Sequence, residues 1–172
     1  MLMGYRWWFA AKWPRNGWHL RSVAMQVWWD GPHLRAPTPP RDLERWDGES
    51  LLCLGPVRGE GGIHAFKTEP LALSWGKAFR TWAIGRPQDD YPVWGTVALW
   101  GKVVEHEDGY RAEHAMIQRL IVPRGILVQN IVGLWSHEIG AVYPCDLSMD
   151  FDALGRRYGV EVEMGEGIEI VV

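Results

Sequence analysis

The chain has 172 residues, a net charge of −3 and a pI near 6.1. Its 47% hydrophobic and 23% charged residues supply a globular core and exclude global disorder. The acidic balance excludes a strongly basic nucleic-acid binder, whose domain pI generally exceeds about 9, although not a local basic patch. No run of about 18 apolar residues is present to span a membrane. The start, Met1 to Trp8, lacks the basic, apolar and small-residue succession of a signal peptide. The two cysteines, Cys53 and Cys145, lie far apart and read as reduced thiols, with one disulfide as the alternative. The expectation is one cytoplasmic domain over residues 1–172.

In chain order, residues 4–12 read as an aromatic-rich strand, and Pro14-Arg15-Asn16-Gly17 is a turn signal. Residues 18–29 alternate, with Trp18, Leu20, Ser22 and Ala24 on one face and His19, Arg21, Val23 and Met25 on the other, so the two segments form a predicted hairpin. Residues 31–50 are polar and proline-rich and read as a long surface connection. A short strand is expected at 51–54. The turn Gly59-Glu60-Gly61-Gly62 leads into Ile63-His64-Ala65-Phe66-Lys67. Thr68-Glu69-Pro70 has the chemistry of a helix start, and Leu71, Trp75, Ala78, Phe79 and Trp82 recur at helical spacing through residues 69–83.

The best-specified unit is a hairpin of residues 93–104 and 110–122 about Asp108-Gly109, a two-residue turn signal. Centring on that turn pairs Glu107 with Tyr110, His106 with Arg111 and Glu105 with Ala112. Gly95 and Gly101 mark bulges or close packing in the first strand. Residues 125–135 fit a strand or a helix. Ser148 is the expected cap of a helix over 149–158, with Arg156 and Arg157 in its last turn and Gly159 closing it. Residues 160–164 and 168–172 flank Gly165-Glu166-Gly167 and read as a terminal hairpin, so the segment 148–172 is a helix followed by a hairpin. Together these elements predict an α+β fold: a mostly antiparallel, twisted or barrel-like sheet with one or two helices.

The compositional anomaly is twelve tryptophans. So many are hard to hide in a small domain, and aromatic residues that stay exposed concentrate at binding interfaces. Towards the amino-terminal end Trp7, Trp8, Trp13, Trp18 and Trp28 interleave with Arg6, Lys12, Arg15, Arg21 and Arg35. Stacking plus phosphate contacts would suit single-stranded nucleic acid or a flipped base, whereas a core strand with an outward basic face is the structural alternative. At the second hairpin tip, His106, Arg111 and Glu113 are expected on one face and Glu105 and His114 on the other. A His106–Glu113 pair would suit general acid–base work, and a solvated charged tip is the alternative. His64 and Lys67 follow the glycine turn and are candidates to face a pocket, or else polar groups at a strand end. No metal-ligand spacing, phosphate-cradling glycine loop or nucleophile elbow is present, and no cofactor is implied.

The stretches GIHAFKT (62–68) and VWGTVALWGKVVEHEDGYRAEHA (93–115), with GYRWW near the start and RRYGV near Tyr158, resemble an uncharacterised group of small proteins of actinobacteria and their phages. The most specific part runs from Val97 to Glu113. Unlike many of that group, this chain has no cysteine just before Gly62. The resemblance implies an accessory role and carries no catalytic residue with it. The glycine-punctuated strand is also similar to the barrel core of PUA-like modified-base readers, an analogy of fold alone. The leading expectation is a non-enzymatic binding module for a host protein, with the candidate binding residues Trp7, Trp8, Trp18, Arg21, Trp28, His64, Lys67 and Arg111. The alternatives are a nucleic-acid reader and a small enzyme using His106 and Glu113.

Overall fold

A computed structural model describes residues 1–13, 17–22, 28–37, 39–40, 61–74, 90–129, 141–144 and 150–171. The elements in order are β1 (Leu2–Trp13), β2 (Gly17–Ser22), β3 (Trp28–Trp29), β4 (His33–Arg35), β5 (Ile63–Phe66), α1 (Glu69–Ser74), β6 (Asp90–Glu105), β7 (Gly109–Pro123), β8 (Gly125–Gln129), β9 (Ala141–Pro144), α2 (Phe151–Tyr158), β10 (Val162–Gly165) and β11 (Ile168–Val171). The fold is α+β, with a mixed, mainly antiparallel sheet. Strands β1, β6, β7 and β5 follow one another edge to edge, and the single pair Tyr5↔Phe66 brings β5 back to β1. The sheet is therefore barrel-like without being a closed barrel. No helix among the described residues is long and apolar enough to cross a membrane.

The first hairpin forms as expected, with Trp13↔Gly17 its closing pair and Gly17 at a left-handed φ of 74°. Both faces of β2 are covered, because Trp18, His19, Leu20, Arg21 and Ser22 are all buried. The core is built from Trp7, Trp8, Phe9, Trp18, Leu20, Trp29, Val93, Val97, Leu99, Ile117 and Leu120, with Leu154 and Tyr158 of α2 packed onto it. Trp8 meets Trp29 edge to face at 5.6 Å, an arrangement that places a ring's positive edge on a negative face. The Tyr158 hydroxyl accepts from Leu20 N (2.8 Å) and donates to the Trp29 carbonyl (2.7 Å), tying α2 to β2 and β3.

Helix α1 begins at the expected place, where the Thr68 hydroxyl accepts from Leu71 N. It docks on β1 through Trp7 Nε1, which donates to the Ala72 carbonyl at 2.7 Å. Residues 75–83 of the predicted helix, the predicted strand at 51–54 and both cysteines lie outside the described residues. Part of the proline-rich connection is a strand: β4 pairs with Met116, Ala115 and His114 of β7.

Three further expectations are corrected. The cap of α2 is Asp150, whose side chain accepts from Ala153 N at 2.7 Å, so the helix starts at Phe151 rather than at 149; Gly159, at φ 63°, ends it as expected. The terminal hairpin does not form. β10 runs parallel to β7 (Val162↔Leu120) and β11 parallel to β8 (Ile168↔Ile126) with an unchanged offset, so the last strands extend along two nearly continuous neighbours instead of folding on each other. Alternation identifies a strand but not its partner.

The β6–β7 connection is also two residues out of the predicted register. The observed pairs are Glu105↔Tyr110, Val104↔Arg111 and Val103↔Ala112. A two-residue type I′ turn needs positive φ at both central residues, and Gly109 is not in that region. Gly109 is required instead by β5, since a Cβ there would stand 2.6 Å from the Ala65 carbonyl oxygen. The expected bulges are present, between Trp100 and Val103 and between Thr96 and Val97. Gly101 takes φ 77° at the first, and at the second a Cβ on Gly95 would lie 1.9 Å from the Arg119 carbonyl oxygen.

Candidate functional site

Two groups of polar and aromatic side chains stand out, and both are anchored on β7. The first is interior. Arg111 is fully buried, and its Cα partner across the strands is His64. Arg111 Nε donates to His106 Nε2 at 2.9 Å, so that nitrogen carries no proton and Nδ1 holds it in the neutral ring. Arg6, on the inward side of β1 with Trp8, donates from Nη1 to the His64 carbonyl and from Nη2 to Ser22 Oγ at 2.8 Å. Ser22 Oγ also accepts from Trp29 Nε1 at 3.0 Å. Arg6 Nε is buried without an acceptor.

The electrostatics of this group are those of cations in a poorly solvated place. Burial lowers the Arg6 guanidinium to about 10. Burial first, then the charges of Arg6, Arg111 and His106, push His64 down to about 3. His106 is held near 4 by burial, Arg111 and Lys67. Both imidazoles are therefore neutral near neutrality. Lys67 closes the outer end: its ammonium lies 2.8 Å from Glu105 Oε1 and above the Tyr110 ring, and the hydrogen bond it donates to Glu105 raises its pKa.

The second group lies on the open face of the sheet. Cross-strand register puts Trp100 (β6), His114 (β7) and Arg35 (β4) in one row and Met3, Ala98, Met116 and His33 in the next. Cross-strand neighbours share a face. Trp100 and His114 are parallel within 9° at 5.4 Å between centroids, and Trp100 and His33 are 5.1 Å apart at 23°. His33 Nε2 and His114 Nδ1 are 3.2 Å apart. That contact takes up most of the 5.3 Å between their centroids, so the imidazoles meet edge to edge against the indole. Glu113 Oε1 accepts from Arg35 Nη2 at 3.1 Å and lies 3.5 Å from His114 Nε2, while Oε2 accepts from Lys102 N at 3.4 Å. The Lys102 backbone N–H, then Arg35 and His114, lower the Glu113 pKa.

These positions sort the predicted residues. His64, Lys67, Arg111 and His106 come together. Trp7, Trp8 and Trp18 are core residues, 2%, 0% and 6% exposed, and offer no open ring face. Arg21 is buried between its cross-strand neighbours Phe9 and Trp28, with ring centroids 5.6 and 5.8 Å from its guanidinium carbon, and Trp28 is half-buried. His106 and Glu113 are not brought together. The register moves His106 into the connection, where its backbone N–H bonds Gly109, and the Gly101 bulge turns Glu113 towards Arg35 and Lys102. Nor do Glu105 and His114 act as a pair: Glu105 holds Lys67, and His114 faces Trp100.

Sequence reading took Arg6 for part of an outward basic patch and missed Ser22 and Trp29 in the interior group, and His33 and Trp100 on the face. A signal existed for Arg6, which keeps step with Trp8 and Ala10 in an apolar strand. None existed for His33, brought to His114 only by the pairing of β4. Among the described residues, no group of three or more His, Cys, Asp or Glu is placed to hold a metal. Comparison with protein-family models, curated proteins and solved structures finds no match to this chain.

Proposed function

We propose that this chain is a non-enzymatic binding module that engages a protein partner through the open sheet face of Trp100, His33, His114, Met116 and Met3. The observation carrying this reading is the ring plate: an indole and two imidazoles held flat on three strands and partly open to solvent. Aromatic, methionine and arginine side chains are the types enriched where proteins meet. Met3 and Met116 flank the plate with adaptable apolar contacts, and Arg35 and Glu113 supply a polar rim. Strand-borne rings are pre-ordered, which lowers the entropy cost of association. The resemblance to small actinobacterial and phage proteins makes the partner a host protein.

The test is affinity capture from an actinobacterial lysate, with and without nuclease, followed by direct titration of the purified partner. The expected result is a nuclease-resistant partner whose affinity falls ~30-fold or more in Trp100→Ala, the size of an interface hot spot. Unchanged affinity in that variant rejects this face. Recovery of nucleic acid, with binding that weakens steeply in salt, moves the reading to a base-stacking function for the same plate.

A further inference from the structure

Arg6 poses a question that the open face does not answer: what balances its charge. A guanidinium taken out of water costs several kcal/mol unless an opposite charge compensates it. Arg6 is 9% exposed. Its acceptors are a backbone carbonyl and a serine hydroxyl, both neutral, and its Nε points into the interior with none. Burial is the one influence on its titration, with no carboxylate opposing it. The charged groups that hold His64 down are likewise the guanidiniums of Arg6 and Arg111, while its neighbour His106 is itself neutral near neutrality. Among the described residues, the acid that touches the group, Glu105, lies at its outer end on Lys67.

We infer that the cluster of side chains around His64 is a receptor for a small oxyanion, bound by Arg6 Nε and the His64 ring within the charge of Arg111. A planar guanidinium with a free N–H edge is suited to phosphate or carboxylate oxygens. His64 and His106 are both partly exposed. An anion there supplies the missing negative charge, and a neutral imidazole adds a donor N–H or takes up a proton to become a second cation. Arg111 enters by its charge, and His106, fixed by Arg111, keeps its place beside it. The site is separate from the ring plate and does not depend on the partner proposed for that face.

His64 is its own reporter. Wild-type protein is titrated with inorganic phosphate, acetate and chloride at matched ionic strength while the His64 ring Cε1–H resonance is followed by NMR at several pH values. A saturable shift with phosphate or acetate, absent with chloride, is expected. The apparent pKa of His64 should also rise by one unit or more in the saturating anion, because an adjacent negative charge favours the imidazolium. The stronger of the two anions identifies a phosphate or a carboxylate as the natural group. Arg6→Met should abolish the response. If neither anion shifts His64 saturably in the wild-type protein, or if Arg6→Met responds as wild type does, the inference fails and Arg6 is a neutral-bonded strut joining β1 to β2 and β5. The wild-type titration decides even if the variant does not fold.

Discussion

The interior group and the open face use the same residue type to opposite ends. Each contains two of the six histidines: His64 and His106 inside, His33 and His114 outside. Inside, arginines are the neighbours, and the imidazoles are kept neutral by burial and by positive charge. Outside, the neighbours are an indole, a carboxylate and another imidazole, and the rings stack on one another. A histidine's role thus follows from what the strand register sets beside it, not from its local sequence. Glu113 and Arg111 make the same point: two residues apart on β7, one faces the plate's rim and the other the interior, because the Gly101 bulge leaves Glu113 without a partner on β6 while Arg111 pairs with Val104.

Four experiments test this contrast. The largest effect is expected at Arg111, whose whole side chain is buried. Arg111→Ala removes that packing and the His106 hydrogen bond and should cost about 3 kcal/mol in urea unfolding. A loss below about 1 kcal/mol would mean that the interior group is not a structural centre. Next comes Gly101→Ala at the bulge. A left-handed φ for alanine costs roughly 1–2 kcal/mol, and the new Cβ would meet His114 Cδ2 at 2.9 Å. Partner binding should weaken along with stability; intact binding would separate the bulge from the plate.

Third, acid should destabilise the fold through its interior. The folded pKa values of His64 and His106 lie below the unfolded value of about 6.5, so the unfolded chain binds more protons as pH falls. Stability is complete above about 6.5 and declines towards pH 4, by at most ~1.4 kcal/mol per pH unit for each histidine and less for the more solvated His106. Denaturation at pH 7.5, 6.5 and 5.5 measures the slope, and His64→Gln should flatten it. An equal slope in that variant would place the acid sensitivity elsewhere. The smallest effect on stability is expected at Trp100: half-buried on a sheet face, its replacement by alanine should cost about 1 kcal/mol or less while abolishing partner binding. A multi-kcal loss would make the plate part of the core.

Sequence alone reached the fold class and most strands, because alternation and turn residues are local signals. It reached His64, Lys67, His106 and Arg111 as candidates but not their assembly, since β5 and β7 are joined by pairing over more than forty residues of chain. The tryptophan excess was visible, but its meaning changed. Trp7, Trp8 and Trp18 build the core, and Trp100 stays partly open, a difference decided by which face of which strand each occupies. Asp108-Gly109 misled because one glycine can serve a turn or a close strand crossing, and here β5 claims it. The last strands misled for a similar reason: apolar alternation fits an antiparallel return and a parallel extension equally well.

The pairing of β1 also sets an order of events during synthesis. β1 finds β2 at once, through a tight hairpin, but its other edge waits for β6, with Leu2 opposite Leu99. At ~5–20 residues per second, a ribosome needs roughly 5–20 s to deliver that partner. Through that interval the most aromatic strand of the protein keeps an unpaired edge. The nascent chain is thus most vulnerable to misassociation at this tryptophan-rich strand, between the synthesis of β1 and that of β6, and is relieved only when β6 emerges.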